Sequence, residues 1–208
     1  MRYLNKIVFL NSAHIPYSEI QLDGNVHFIG TQGVGKSTLL RAILFFYNAD
    51  TQRLGIPVEK KSYQDYYFPY ADSSIIYEVA REDGWFTVLS YKTMNRICYR
   101  FIASPYRPDL FIDEEGAPYP SDRIRSVLDK NGIKYSGAIS TYEEYRNILY
   151  GNSDNKRDYS CYSLMESGSY QNIIRTIQNV LLNSRLEADY IKPVSYTHLR
   201  AHETAANL

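Results

Sequence analysis

The chain has little of what marks a secreted, membrane-bound or strongly basic protein. Only two cysteines, Cys98 and Cys161, occur in 208 residues. Two thiols so far apart fit neither a disulfide framework nor a zinc-ligand spacing, and reduced thiols of a cytoplasmic protein are expected. No apolar run approaches the ~20 residues of a membrane-spanning helix, so no membrane partner is expected. The apolar stretch Ile7 to Leu10 is followed at once by Asn11 and Ser12, which is not the pattern of a signal peptide. Lys and Arg together number 23, as do Asp and Glu, so no global basicity advertises nucleic acid. Local basic patches are compatible with that balance. Internal repeats, low-complexity tracts and sustained heptads are absent too. With 44% hydrophobic and 22% charged residues, the composition is that of one globular domain.

What is present in excess is tyrosine, 21 in all, with a cluster at Tyr63, Tyr66, Tyr67 and Tyr70. Such rings can stack on bases, but packing against a neighbouring lobe is the favoured reading.

The chemistry-bearing stretch is Gly30-Thr31-Gln32-Gly33-Val34-Gly35-Lys36-Ser37-Thr38. It satisfies G-x-x-x-x-G-K-[ST], the phosphate-binding loop of P-loop NTPases. The apolar run Val26 to Ile29 leads in as an expected strand, and Leu39, Leu40, Ile43, Leu44, Phe46 and Tyr47 lead out as an expected helix to about Asn48. Gly30, Gly33 and Gly35 allow a tight turn that aims successive amides at one phosphate. The helix behind it directs the positive end of its dipole at the same anion. Lys36 is expected to reach the β- and γ-phosphates, and the Ser37 hydroxyl to ligate Mg²⁺. The cofactors implied are ATP and Mg²⁺.

Around this loop the pattern predicts strands at Tyr3–Leu10 and Tyr17–Leu22, then Ser74–Arg81, Trp85–Thr93 and Ile97–Ala103. The turn Glu82-Asp83-Gly84 makes the last group an antiparallel meander. Ser121 is expected to cap a helix running to Lys130 and stopping near Gly132. Thr141 and Glu144 form a capping box for a helix ending near Gly151. A further amphipathic helix is expected over Tyr170–Leu186. Leu110-Phe111-Ile112-Asp113-Glu114 imitates a Walker B strand, but the following Glu115-Gly116-Ala117-Pro118 favours a hairpin turn.

Val194 to Thr204 reads as an in-frame translation of a transposase-type sequencing adapter. Residues 194–208 are therefore treated as a non-native tail, and His198, His202 and Glu203 as a meaningless imitation of a metal site. Residues 1–193 are expected to be the N-terminal part of a longer protein.

The run from Phe28 to Ile43, with Gln32 standing where Asn is usual, resembles the ABC-type ATPases of the SMC-like group (structural maintenance of chromosomes, MukB-like and related repair or defence ATPases). That resemblance implies an α/β fold: an incomplete P-loop NTPase head lobe, with a mixed sheet and an antiparallel meander around the phosphate-loop helix. It implies ATP binding and hydrolysis coupled to DNA handling in the cytoplasm. The implied partners are a C-terminal half-head of the same protein beyond a coiled coil, a second head in a head-to-head homodimer, and DNA. It carries Arg53 over as a basic residue near the nucleotide or DNA. Gln171, with Gln178 second, is carried over as the Q-loop residue at Mg²⁺ or the attacking water; both also read as solvent-facing helix positions. The catalytic glutamate is expected elsewhere, so this segment should bind ATP without efficient hydrolysis. The alternatives are a compact P-loop kinase using Asp113 and Glu114, or the ATPase subunit of an ABC transporter.

Overall fold

Two apolar strands pair in the interior of the sheet. In the computed structural model, which describes residues 2–24, 26–48, 50–51, 54–57, 59–94, 96–151 and 159–164, β1 (Tyr3–Ser12) pairs with β3 (Ser74–Arg81). Seven of the eight β3 residues are buried, because both faces of the sheet are covered. β2 (Ile15–Gln21) folds back on β1, while β4 (Gly84–Thr93) and β5 (Arg96–Ile102) continue from β3. The order is β2-β1-β3-β4-β5, and every pair is antiparallel.

The meander forms where turn chemistry and strand propensity agree. β3 and β4 close at the pair Arg81–Gly84 around Glu82 and Asp83, with Gly84 at φ 145°, a conformation that glycine adopts without a side-chain penalty. Alternate residues then sort to opposite faces. On one face Val8, Leu10, Ile76, Leu89, Cys98 and Ile102 meet Leu110, Phe111 and, from α3 (Ser121–Lys130), Ile124 and Leu128. Arg100 is buried on this face, its guanidinium 5.2 Å from the Tyr135 ring centroid and 5.9 Å from that of Tyr91; two aromatic faces are its electrostatic partners. The bulge between Leu4 and Lys6 turns Asn5 inward. There Asn5 Nδ2 donates to Glu78 Oε1 at 2.7 Å, and Tyr106 N donates to Glu78 Oε2 at 2.7 Å. The buried carboxylate thus has a donor on each oxygen.

The opposite face is aromatic. Tyr77, Tyr99 and Phe101 meet Phe45 and Phe46 of α1 (Lys36–Asn48) and Tyr145 of α4 (Tyr142–Leu149), with centroid separations from 4.4 to 5.8 Å. Three phenol groups in this layer find acceptors on α1. Tyr77 donates to Ala42 O at 2.9 Å, Tyr145 to Phe46 O at 2.6 Å and Tyr150 to Tyr47 O at 2.7 Å. A fourth donor, Tyr67 of α2 (Tyr63–Tyr67), reaches Thr38 O at 2.7 Å. α4 begins with Thr141, whose Oγ1 accepts from Glu144 N at 3.3 Å, and Gly151 follows it at φ 70°. α3 starts differently from expectation: Pro120 occupies the cap and Ser121 is the first helical residue.

The expected α/β fold, a P-loop NTPase head lobe with a mixed sheet, is overturned. The described sheet is antiparallel throughout, and the chain enters α1 from coil, not from a strand. Val26 to Ile29 is the specific failure. The run pairs with none of the five strands, although β2 lies at an edge of the sheet, so apolar character over four residues is not enough to make a strand. Ile29 is 92% exposed. The helix expected over Tyr170–Leu186 lies outside the described residues, as does the compact unit Gln171–Leu208; the elements above belong to the unit Met1–Tyr170. Among the described residues no helix is long and apolar enough to cross a membrane.

Two outcomes are expected. Tyr145→Phe should cost about 1–3 kcal/mol, because Phe46 O is one of the last four carbonyls of α1 and has no partner within the helix. Tyr77→Phe should cost only about 0.5–1.5 kcal/mol, because Ala42 O lies inside the helix, where the ladder already supplies a donor. Urea unfolding of the two variants checks the order; equal costs would show that the phenol bonds do not act through the helix end.

Burial pushes the Tyr47 phenol up to about 12, and it pushes Tyr63, Tyr77 and Tyr145 well above their usual value. Each is a raised acid, so the folded state holds its proton more tightly than the unfolded chain. The corresponding stability is fully present below pH about 10 and is lost as pH rises through the folded values. Alkaline titration should therefore show part of the tyrosinate absorbance, that of the buried phenols, arriving together with loss of circular dichroism. Ionisation of all 21 tyrosines in a still-folded protein would contradict it.

Candidate functional site

The phosphate-loop sequence builds a loop closed by its own lysine. Gly33 and Gly35 both stand at φ 93°, a left-handed conformation that a side chain would strain. Gly30 is needed for a different reason: a Cβ there would sit 2.7 Å from Val34 Cγ2. The Lys36 ammonium donates to Gly30 O at 2.5 Å and to Thr31 O at 2.7 Å. It is thereby held across the loop mouth with one of its three donors not committed to these carbonyls.

α1 starts at Lys36, with Leu39 N donating to Gly35 O at 3.0 Å as the first helical bond. The amides of Lys36, Ser37 and Thr38 precede that bond and have no acceptor within the helix. Gly35 has no side chain to cap them, and the first turn contains no acidic residue. A helix start with free amides, a positive dipole end and an adjacent ammonium has the groups that attract an anion. Ser37 is exposed on this first turn. Among the described residues no cluster of three His, Cys, Asp or Glu side chains could hold a metal. The Ser37 hydroxyl is nonetheless the kind of ligand that suits Mg²⁺, which binds through few protein oxygens plus substrate phosphates.

Three further elements wall the loop into a cavity of about 650 Å³, within the range of small-molecule sites. Gln32, Gly33, Gly35, Lys36, Ser37 and Thr38 line one side. His14 comes from the β1–β2 turn, Tyr66 and Tyr67 from α2, and Ile56, Lys60 and Lys61 from the segment before α2. Arg41, one turn into α1, also lines the cavity, and its guanidinium donates to Leu54 O at 3.3 Å and Gly55 O at 3.0 Å. That pair of bonds fastens the segment to the helix. Ser62 caps α2 by accepting from Asp65 N at 3.1 Å. Burial raises the Tyr67 phenol well above its usual value, with the nearby Arg41 charge opposing, so Tyr67 keeps the proton it donates to Thr38 O.

The structure thus brings together Gly30, Thr31, Gln32, Gly33, Val34, Gly35, Lys36, Ser37 and Thr38. Arg53 and Gln171 lie outside the described residues. Asp113 and Glu114 are not among the residues that line the cavity. Asp113 Oδ1 accepts from Glu115 N at 3.0 Å and Ala117 N at 2.7 Å, inside a turn that Gly116 completes at φ 85° and the Ile112–Pro118 bridge closes. This is the hairpin turn that the residues after Asp113 favoured. His14, Lys60, Lys61 and Tyr66 were not singled out as site residues by sequence reasoning. They reach the cavity from elements remote in sequence, and only the tyrosine cluster carried any signal.

No curated protein matches the chain. One family profile does, over residues 14–183, a span that contains the phosphate loop, α1 and every wall of the cavity. The chain belongs to that family, DUF3584, whose description reads "Protein of unknown function".

Proposed function

We propose that the chain binds ATP with Mg²⁺ at the phosphate loop, and serves as the nucleotide-gripping half of an SMC-like ATPase that acts on DNA. The observation that carries the reading is the helix start at Gly35–Thr38. Helix-start amides without an intrahelical acceptor, two left-handed glycines and the Lys36 ammonium belong to one short loop there. In this reading Lys36 contacts the terminal phosphates and Ser37 ligates Mg²⁺, which neutralises phosphate charge when bound. The backbone amides of the loop hold the remaining phosphate oxygens.

The antiparallel sheet lends no support to the SMC-like part of the reading, which rests on the sequence of the loop and its helix. A second feature does support a covering partner. Ile29, Val34 and Val26, at 92%, 59% and 38% exposure, are apolar and lie in or beside the phosphate loop. Apolar exposure beside a polar grip suits a surface that closes over the nucleotide. A second half-head, a second head in a homodimer, or both would provide it and would contribute the hydrolytic carboxylate. The compact-kinase alternative needs Asp113 at the metal, and that carboxylate is engaged by two amides of its own turn.

The expected behaviour of the chain is weak ATP binding with hydrolysis at background. Lys36→Ala should weaken binding about 10- to 100-fold, the equivalent of losing charge-assisted bonds to phosphate. Calorimetric titration and phosphate release check both points. Absence of ATP binding by the unmodified chain would sink the nucleotide reading. Turnover that disappears in Lys36→Ala would instead show that the chain carries its own hydrolytic residues.

A further inference from the structure

We infer that the cavity holds the nucleobase of the triphosphate against Tyr66 and His14, an inference that rests on the phosphate-loop reading above. In this reading a triphosphate gripped at Lys36 places its ribose and base in the rest of the same cavity. The wall facing that space is aromatic: His14, Tyr66 and Tyr67 all line it. Tyr67 is not available for stacking. Its ring lies 4.0 Å from that of Tyr63 at an interplanar angle of 21°, and its hydroxyl is bonded to Thr38 O.

Tyr66 is different. Its contacts with His14, at 5.5 Å and 78°, and with Tyr67, at 5.2 Å and 77°, are both T-shaped. Among the described residues no ring lies parallel to either Tyr66 or His14. A planar base is the group that a flat, partly exposed π-surface accepts, whatever its hydrogen-bonding edge.

The backbone holds this wall in an uncommon form. Asn11, Ala13 and His14 stand at φ 43°, 53° and 65°, left-handed without being glycine. Such a turn persists only when its surroundings over-determine it, and it is found disproportionately at ligand sites. Here two bonds fix it to the segment that follows α2. Asn11 Nδ2 donates to Asp72 Oδ2 at 2.8 Å, and Ser73 Oγ donates to Asn11 O at 2.5 Å. The hairpin tip that carries His14 and the segment following the helix that carries Tyr66 are therefore tied together. The β1–β2 turn is shaped to present an imidazole at the edge of a phenol ring, beside the phosphate loop.

The test compares ATP with inorganic tripolyphosphate, each titrated with Mg²⁺ into the full chain. ATP should bind about tenfold tighter than tripolyphosphate or better, the usual contribution of one stacked base. Tyr66→Ala should reduce that gap by about tenfold while leaving tripolyphosphate affinity unchanged. Tyr66→Phe should preserve the gap, and His14→Asn, which tolerates the left-handed turn, should narrow it. A gap identical in Tyr66→Ala and the unmodified chain would overturn the base wall and leave the phosphate grip standing. Loss of both ligands in Tyr66→Ala would mark Tyr66 as structural support and also overturn it. Failure of the unmodified chain to bind either ligand would overturn both readings at once.

Discussion

The structure depends on four phenol hydroxyls that end on the backbone of one helix. Tyr67, Tyr77, Tyr145 and Tyr150 donate to the carbonyls of Thr38, Ala42, Phe46 and Tyr47. Three of those carbonyls recur every four residues, so they lie along a single face of α1. Aromatic packing alone would let such a helix slide or rotate on the sheet, because dispersion contacts are individually weak and non-directional. Hydrogen bonds to fixed carbonyls remove that freedom. The phosphate loop is the N-terminal continuation of this helix, so its position follows from where the phenols hold α1.

Two kinds of support meet at the loop. From below, the aromatic layer fixes the helix axis, and Tyr67 reaches its first turn. From the side, Arg41 ties the segment before α2 to the helix through Leu54 O and Gly55 O. The loop itself is then shaped by local chemistry: left-handed glycines, a glycine that avoids Val34, and a lysine that bonds its own loop. The arrangement fixes the donors of the loop in place before any ligand arrives. Catalytic power is a separate matter, since no carboxylate among those described is free of a structural task and also within the cavity wall.

The legible parts of the sequence were those whose cause is local. Glu82-Asp83-Gly84 specifies a tight reversal, so the β3–β4 pairing could be read directly, and Thr141 with Glu144 specifies the start of α4. The phosphate loop was legible as a motif because glycine, lysine and serine at that spacing answer a short-range geometric demand. The sheet's overall character was not legible. A strand was expected from the apolar run Val26 to Ile29, yet whether so short a run joins a sheet is decided by tertiary packing. The aromatic wall was missed for the same reason. His14 and Tyr66 are separated by 51 intervening residues, and nothing in their local sequence announces that Asn11 will bond Asp72 and bring the two elements together. The excess of tyrosine was visible; the division of labour between buried donors and a surface ring was not.

The order of strands has one more implication, concerning tolerance to change in chain length. β1 and β3 are neighbours in the sheet, but the chain between them runs from the β2 hairpin through the phosphate loop, α1 and α2. The whole segment that lines the cavity is thus a closed excursion between two registered strands. The entropy of closing such an excursion grows only with the logarithm of its length, about 0.6 kcal/mol for each doubling. Insertions or deletions in the connecting stretches around residues 22–29 and 49–62 therefore perturb the pairing of β1 with β3 very little. The sheet can stay constant while the rim of the cavity lengthens, shortens or changes composition, so that the cavity's shape and lining can drift without loss of the fold.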